Sequence, residues 1–124
     1  MPDVPSPDPH HVPAGAPSFV EIGAPSGTAV RSFFAALFGW SFHDMGGDNF
    51  WIQTPTLRFG LHPKDEDRNL VVYFAVEDID AAAERVRALG GQAPAPGPEQ
   101  EGFGRFVECR DSQGIRFGLH QRAR

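Results

Sequence analysis

The side chains best suited to binding an ion or transferring a proton lie in a five-residue segment that occurs twice. Arg58-Phe-Gly-Leu-His62 recurs as Arg116-Phe-Gly-Leu-His120. A guanidinium can hold a carboxylate through paired N–H donors, and an imidazole can transfer protons near neutral pH. Each side chain also has a plainer interpretation: the arginines pair with Glu21, Glu108 or a neighbouring chain, and the histidines lie half-exposed at strand ends. We favour the plainer interpretation for both histidines and for at least one arginine.

Glu21 is the carboxylate with the greatest potential for acid–base chemistry. If it is buried beside aromatic rings, its pKa rises and it can act as a base, although such a residue is more often an ion-pair partner. Cys109 has no catalytic residues near it in sequence, and we expect a packed, inert thiol. The sequence contains no Gly-rich phosphate loop, nucleophile elbow or CxxC motif.

Alternation of side chains along a strand divides the repeated segment between two faces. Its Phe and Leu should pack on helices, and its Arg, Gly and His should point toward a cleft. The same parity turns Phe19, Glu21, Val71 and Tyr73 toward that cleft. The two copies predict a pseudo-two-fold, with open volume at Gly60 and Gly118. Trp51 either forms part of the wall or stacks on a planar ligand.

Two similar series of elements must position these residues. The pattern predicts a strand over 18–23 and a helix over 28–38 that Gly39 ends, with Ser26 or Thr28 as its N-cap. Strands over 40–45, 49–54 and 56–62 follow, then a polar linker over 63–69. The second series predicts a strand over 70–77 and a helix over 79–89 capped by Asp78. A weak strand over 91–95 and strands over 105–110 and 115–120 complete it. Residues 1–17 form a Pro-rich tail that we expect to be disordered.

Composition excludes several classes of function. The length of 124 residues indicates one domain. The net charge of −5, with no basic run before the last few residues, argues against nucleic acid and against an anionic membrane surface. One cysteine cannot form an internal disulfide, and no apolar run or signal peptide is evident. These features favour a cytoplasmic protein.

The ordered set of motifs resembles the vicinal oxygen chelate superfamily, which includes glyoxalases, bleomycin resistance proteins and ring-cleaving dioxygenases. The resemblance rests on Phe19-Val-Glu-Ile, Ala29-Val-Arg-Ser-Phe-Phe-Ala-Ala-Leu-Phe-Gly-Trp40, Val76-Glu-Asp-Ile-Asp and the closing Asp111-Ser-Gln-Gly. It implies an α+β domain over 18–121. Two βαβββ modules, 18–62 and 70–121, would form mixed sheets around a half-barrel cleft. It also implies a homodimer.

Enzymes of this superfamily usually hold one divalent metal ion through four positions, and the resemblance implies which residues of this chain occupy them. These positions fall here on Phe19, Gly60, Val71 and Gly118. Because none of the four side chains offers oxygen, imidazole or thiolate, we expect no metal and no cofactor, and no standard lyase or dioxygenase chemistry.

The resulting hypothesis is a binding protein that sequesters or carries an apolar or aromatic compound. One alternative is an enzyme of this fold with a shifted metal site or metal-free acid–base chemistry through Glu21 or a His. Another is an interaction module whose cleft is closed by Phe side chains. The predicted ligand-binding residues are Phe19, Glu21, Trp51, Arg58, Gly60, His62, Val71, Tyr73, Arg116, Gly118 and His120.

Overall fold

One continuous mixed sheet organises the structure, a computed structural model that describes residues 12–123. The elements run β1 (Pro17–Gly23), α1 (Gly27–Phe38), β2 (Ser41–Gly46), β3 (Asn49–Gln53), β4 (Arg58–His62), β5 (Asn69–Ala75), α2 (Ile79–Ala88), β6 (Arg105–Arg110) and β7 (Arg116–Gln121). The strand order is β2-β3-β4-β1-β5-β7-β6, with β1–β4 and β5–β7 parallel and the other pairs antiparallel. The predicted α+β fold is confirmed, with the two halves joined through β1 and β5 in a single open sheet.

The predicted weak strand over 91–95 is wrong. In its place the structure has one isolated bridge, between Gln92 and Arg110. Pro94, Pro96 and Pro98 follow. Because proline has no backbone N–H, a segment with proline at every second position cannot maintain a ladder of hydrogen bonds. The second half therefore has one strand fewer than the first.

At each helix start, a local N-cap residue and one side chain from a distant part of the sequence accept hydrogen bonds from the first backbone N–H groups. At α1 the Ser26 hydroxyl accepts from the Ala29 N–H at 3.1 Å, and Asp48 accepts from the N–H groups of Gly27 and Thr28 at 2.8 Å. At α2 the Asp78 carboxylate is the N-cap, as predicted, and Gln121 Oε1 accepts from the first helical N–H at 3.0 Å. These contacts satisfy backbone donors that a helix start leaves unpaired.

The two faces of the sheet carry separate clusters, and the predicted strand parity is confirmed. Two cores lie on the helix side, one around Ile52 below α1 and one around Ile79 below α2. The repeated Phe and Leu residues pack into these cores. A third cluster occupies the opposite face, and its members are Phe19, Val71, Tyr73, Phe103 and Phe106.

The β1–β5 pairing gives the pseudo-two-fold in residue terms. Val20 lies opposite Val72, so rotation about that point exchanges Phe19 with Val71 and Glu21 with Tyr73. The parallel partners agree, because Glu21 lies opposite Gly60 in β4 as Tyr73 lies opposite Gly118 in β7. The repeated segments therefore occupy equivalent places in the two halves.

Part of the predicted tail joins the sheet. The Gly15 N–H donates to the Ala75 carbonyl, and the Ala75 N–H donates to the Ala16 carbonyl, both at 2.8 Å. Ordered structure therefore begins before residue 18, and the rest of the predicted tail, residues 1–11, lies outside the described residues. Neither helix of the described part has the length and apolarity that crossing a bilayer requires.

Candidate functional site

The centre of the sheet face opposite the helices is filled by aromatic rings. Phe19 contacts Tyr73 edge-on, with ring centroids 5.9 Å apart, and Phe106 at 4.8 Å. Tyr73 and Phe106 are themselves 5.6 Å apart. Burial raises the pKa of the Tyr73 phenol, so it stays neutral over the physiological range. The rings belong to three strands and make this face a second, smaller apolar core.

The predicted open volume is wrong at Gly118, and at Gly60 the tip of an aromatic ring takes part of it. A Cβ on Gly60 would lie 2.8 Å from the tip of the Phe19 ring. A Cβ on Gly118 would overlap the Tyr73 ring outright. The space that each glycine leaves is taken, wholly or in part, by a ring from the neighbouring strand. Aromatic side chains therefore close the cleft at Gly118, as the interaction-module alternative supposed, whereas Gly60 still borders open space.

Two cavities remain beside this aromatic cluster, and they share Phe19 and Phe103. The smaller cavity, about 160 Å³, is otherwise lined by Glu21, Met45, Asn49, Phe50, Trp51, Gly60, Leu61, Gln100 and Phe106. The larger cavity, about 450 Å³, is otherwise lined by Val12, Ser18, Gln53, Thr56, Leu57, Arg58, Gly102, His120, Arg122 and Ala123. Together they form a cleft of the size that small ligands occupy, and the two shared rings divide it.

Glu21 supplies the one carboxylate of the smaller cavity among the described residues. It is half-buried, and no described residue forms a hydrogen bond with its carboxylate. Desolvation by burial raises its pKa, and the nearby His62 opposes that shift. A carboxylate that resists ionisation in an apolar cleft can bind a polar ligand group or accept a proton.

We predict that Glu21→Gln stabilises the free protein at neutral pH by a few degrees of melting temperature. Because the folded-state pKa of Glu21 is raised, the folded protein holds this proton more tightly than the unfolded chain. Its stabilising contribution is present at low pH and is lost as the pH rises through that raised pKa. Thermal melts of both proteins from acidic to neutral pH should converge at the acidic end. A variant that melts earlier at neutral pH would show that the ionised carboxylate is stabilised.

Trp51 and Arg58 form an aromatic and cationic wall at the junction of the two cavities. Trp51 stacks on His43 with ring centroids 3.9 Å apart. The Arg58 guanidinium lies 5.3 Å from the Trp51 centroid and 5.5 Å from that of Phe103, within the range of cation–π attraction. Its Nη1 donates to the Gly102 carbonyl at 2.9 Å. Both residues were predicted from sequence to face a ligand, and both line the cleft.

Three other predicted ligand-binding residues lie outside the cavities. Arg116 pairs with Glu108, as the plainer interpretation supposed, and lines neither cavity. His62 is exposed and lies 3.3 Å from Asp65, outside the cleft. Val71 is buried in the aromatic cluster. None of these three positions lines either cavity.

His120 departs from the expectation of a half-exposed imidazole, because it is 6% exposed. Its Nε2 lies 2.6 Å from the Phe103 carbonyl, and its Nδ1 lies 2.8 Å from the Ser18 hydroxyl. A carbonyl only accepts, so Nε2 carries the proton and Nδ1 accepts from Ser18. Burial lowers the His120 pKa, which keeps this imidazole neutral. The ring fixes the 100–104 turn over the cleft and also stacks on Phe106.

The metal positions expected from the resemblance hold no ligands. Phe19, Gly60, Val71 and Gly118 all lie on the cleft face, where their atoms form or contact the aromatic cluster. Within residues 12–123, no group of three or more His, Cys, Asp or Glu residues is placed to hold a metal ion. The side chains at these four positions therefore do not fit a divalent ion.

Sequence reasoning missed Ser18, Phe103, Phe106 and Arg122. Of these four, Phe103 has the clearest signal in the sequence, because it lies between Gly102 and Gly104 in a Pro- and Gly-rich loop. A large apolar residue between two glycines on a polar loop has no local reason to be there, which makes it a candidate for a contact with another part of the fold. The other three follow only from the packing.

Known proteins agree with this fold. The family model described as "Glyoxalase-like domain" matches residues 19–120. The anthracycline biosynthesis protein DnrV of Streptomyces peucetius is 28% identical over 129 residues, which cover 85% of this chain and 46% of that protein. This chain thus spans about half the length of the curated relatives it matches.

Two solved structures illustrate the likeness in fold. A hypothetical protein from Bacillus halodurans C-125 has a TM-score of 0.70 at 12% identity, over 90% of this chain and 97% of that one. Methylmalonyl-CoA epimerase from Mycobacterium tuberculosis has a TM-score of 0.66 at 16% identity, over 94% and 95%.

Proposed function

Because the chain belongs to the glyoxalase-like domain family, we propose that it binds an apolar or aromatic small molecule in the cleft that Phe19 and Phe103 divide. It would sequester or carry that compound, as a bleomycin resistance protein does. The observation that carries this proposal is the wall of the smaller cavity, where Trp51, Phe103 and Phe106 lie around Glu21, its one carboxylate among the described residues. Apolar walls with a few polar groups are typical of ligand sites.

Relatives support a small-molecule ligand in general terms. One is named for anthracycline biosynthesis, and one solved neighbour of the same fold is an epimerase of a coenzyme A ester. Neither name identifies the ligand of this chain, because a fold supports many functions.

A second candidate function is metal-free acid–base catalysis through Glu21. The supporting observation is a carboxylate with a raised pKa and no hydrogen-bond partner among the described residues, facing open space between aromatic rings. Such a group could take a proton from a carbon next to a carbonyl and return it to another atom of the resulting enolate, which isomerises the ligand. Under this alternative Glu21→Gln abolishes turnover and keeps ligand affinity, whereas a binding protein has no turnover to lose.

The binding proposal is tested with 2-naphthamide, a neutral planar probe, in isothermal titration calorimetry. We expect binding to the native protein, and Trp51→Ala should weaken it about tenfold, because loss of one aromatic wall removes stacking and apolar contact. Phe33→Ala is the control, since Phe33 is 61% exposed on the opposite side of the sheet. Absence of binding, or weakening by the control but not by Trp51→Ala, would contradict the proposal.

The homodimer implied by the family resemblance remains a proposal. Several large apolar side chains are exposed in the described single chain, among them Phe33, Leu37 and Phe38 on α1. Contiguous exposed apolar surface often marks an interface. Sedimentation equilibrium at micromolar concentration that gives only the mass of one chain would reject it.

A further inference from the structure

The larger cavity is lined by positive charge, although the net charge of the chain is negative. The protein has 16 acidic residues against 11 Lys and Arg, yet none of the described residues that line this cavity is Asp or Glu, and Arg58 and Arg122 both line it. Within residues 12–123 neither arginine forms an ion pair. Two uncompensated guanidinium groups on one cavity of an acidic protein indicate a site for a negative charge.

Arg58 is held in place by groups that do not neutralise it. Its one described hydrogen bond goes to the Gly102 carbonyl, and its guanidinium lies over both the Trp51 and the Phe103 ring. These contacts orient the guanidinium and leave most of its five donors free. A pre-oriented arginine loses little conformational entropy when it binds a carboxylate.

The remaining titratable group of the cavity adds no positive charge. His120 donates through Nε2 to the Phe103 carbonyl and accepts through Nδ1 from Ser18, so both nitrogens are already engaged in the neutral form. Arg122 also disfavours a second cation beside it. The positive potential of the cavity therefore comes from the two arginines.

The apolar and cationic parts of the cleft are contiguous. Phe19 and Phe103 line both cavities, so a molecule with its planar body against Trp51 and Phe103 would extend past these rings into the larger cavity. We propose that the ligand of this cleft is an aromatic carboxylate, with its carboxylate bound by Arg58 and Arg122 and its ring system in the smaller cavity. This inference rests on the proposed binding function and specifies its ligand class.

The test compares 2-naphthoate with 2-naphthamide, which have nearly the same shape and differ in charge. We expect 2-naphthoate to bind about tenfold more tightly, the effect of one well-oriented charge-assisted contact. High salt should weaken the naphthoate complex and leave the amide complex unchanged, because ions screen the exposed part of the site. Equal affinities for the two probes would overturn the inference and leave the binding function intact, whereas no binding of either probe contradicts the binding function itself.

Charge-removing variants locate the effect. Arg122→Gln should reduce naphthoate affinity about fivefold, as expected for a partly exposed charge pair, and leave 2-naphthamide affinity unaltered. Arg58→Gln should also weaken naphthoate binding, but it disturbs the Gly102 contact, which makes Arg122→Gln the cleaner variant. Arg85→Gln is the matched control, because Arg85 is exposed on α2 across the sheet. If Arg85→Gln lowers naphthoate affinity as much as Arg122→Gln, the effect is one of net charge and the inference is wrong.

Discussion

Gly118→Ala is expected to destabilise the protein by about 3 kcal/mol, the upper end of the usual cost of overpacking a core. A methyl group there would overlap the Tyr73 ring near its attachment to the side chain, where rotation of the ring cannot relieve the clash. Tyr73 is buried and packs against both Phe19 and Phe106, which restrict where its ring can move. Urea denaturation followed by circular dichroism gives the free energy of unfolding.

Gly60→Ala is the matched control from the other half of the fold. Its Cβ would approach only the far end of the Phe19 ring, which borders both cavities and can tilt into them. We expect a change within about 1 kcal/mol, because the gain from a less flexible unfolded chain offsets the contact. Equal destabilisation by the two variants would contradict the difference in packing between the pseudo-symmetric halves.

His120→Ala is expected to destabilise the protein by about 3 kcal/mol, through the lost volume and two unsatisfied polar groups. The Phe103 carbonyl loses its donor, and the Ser18 hydroxyl loses its acceptor. His62→Ala is the matched control, since His62 holds the same place in the other copy of the repeat and its side chain is 66% exposed. The control should change stability by no more than about 0.5 kcal/mol.

His120→Ala should also change how the stability of the protein depends on pH. The His120 pKa is lowered in the folded state by burial, so the unfolded chain binds this proton more readily. Its contribution to stability is present above the ordinary pKa of histidine and is lost as the pH falls through the lowered folded-state pKa. We therefore expect His120→Ala to flatten the loss of stability between neutral and mildly acidic pH. An unchanged slope in His120→Ala would contradict a lowered pKa of His120 in the folded state.

Strand parity, helix caps and the internal repeat were predictable from the sequence because they depend on local spacing. Alternation in Arg-Phe-Gly-Leu-His is sufficient to assign Phe59 and Leu119 to the helix side, and Asp78 before an apolar helical pattern is sufficient to mark the start of α2. These rules need only a few neighbouring residues, and the structure confirms them.

Differences between the two halves were not predictable, because they depend on residues far away in sequence. His62 and His120 occupy equivalent positions in the repeated sequence. Only His120 lies under the 100–104 turn, which buries it and provides the Phe103 carbonyl as its hydrogen-bond acceptor. The volume beside Gly60 and Gly118 likewise depends on which ring the neighbouring strand supplies. Parity assigns a side chain to a face, and packing determines whether that face is open.

A backbone amide NMR titration with 2-naphthamide tests the central claim, binding within the cleft, most directly. The account predicts that chemical shift changes concentrate on Phe19, Gly60, Phe103 and the Trp51 indole N–H, which border the cavities. Changes confined to Phe33, Leu37 and their neighbours on the exposed side of α1, or no saturable change at all, would contradict it.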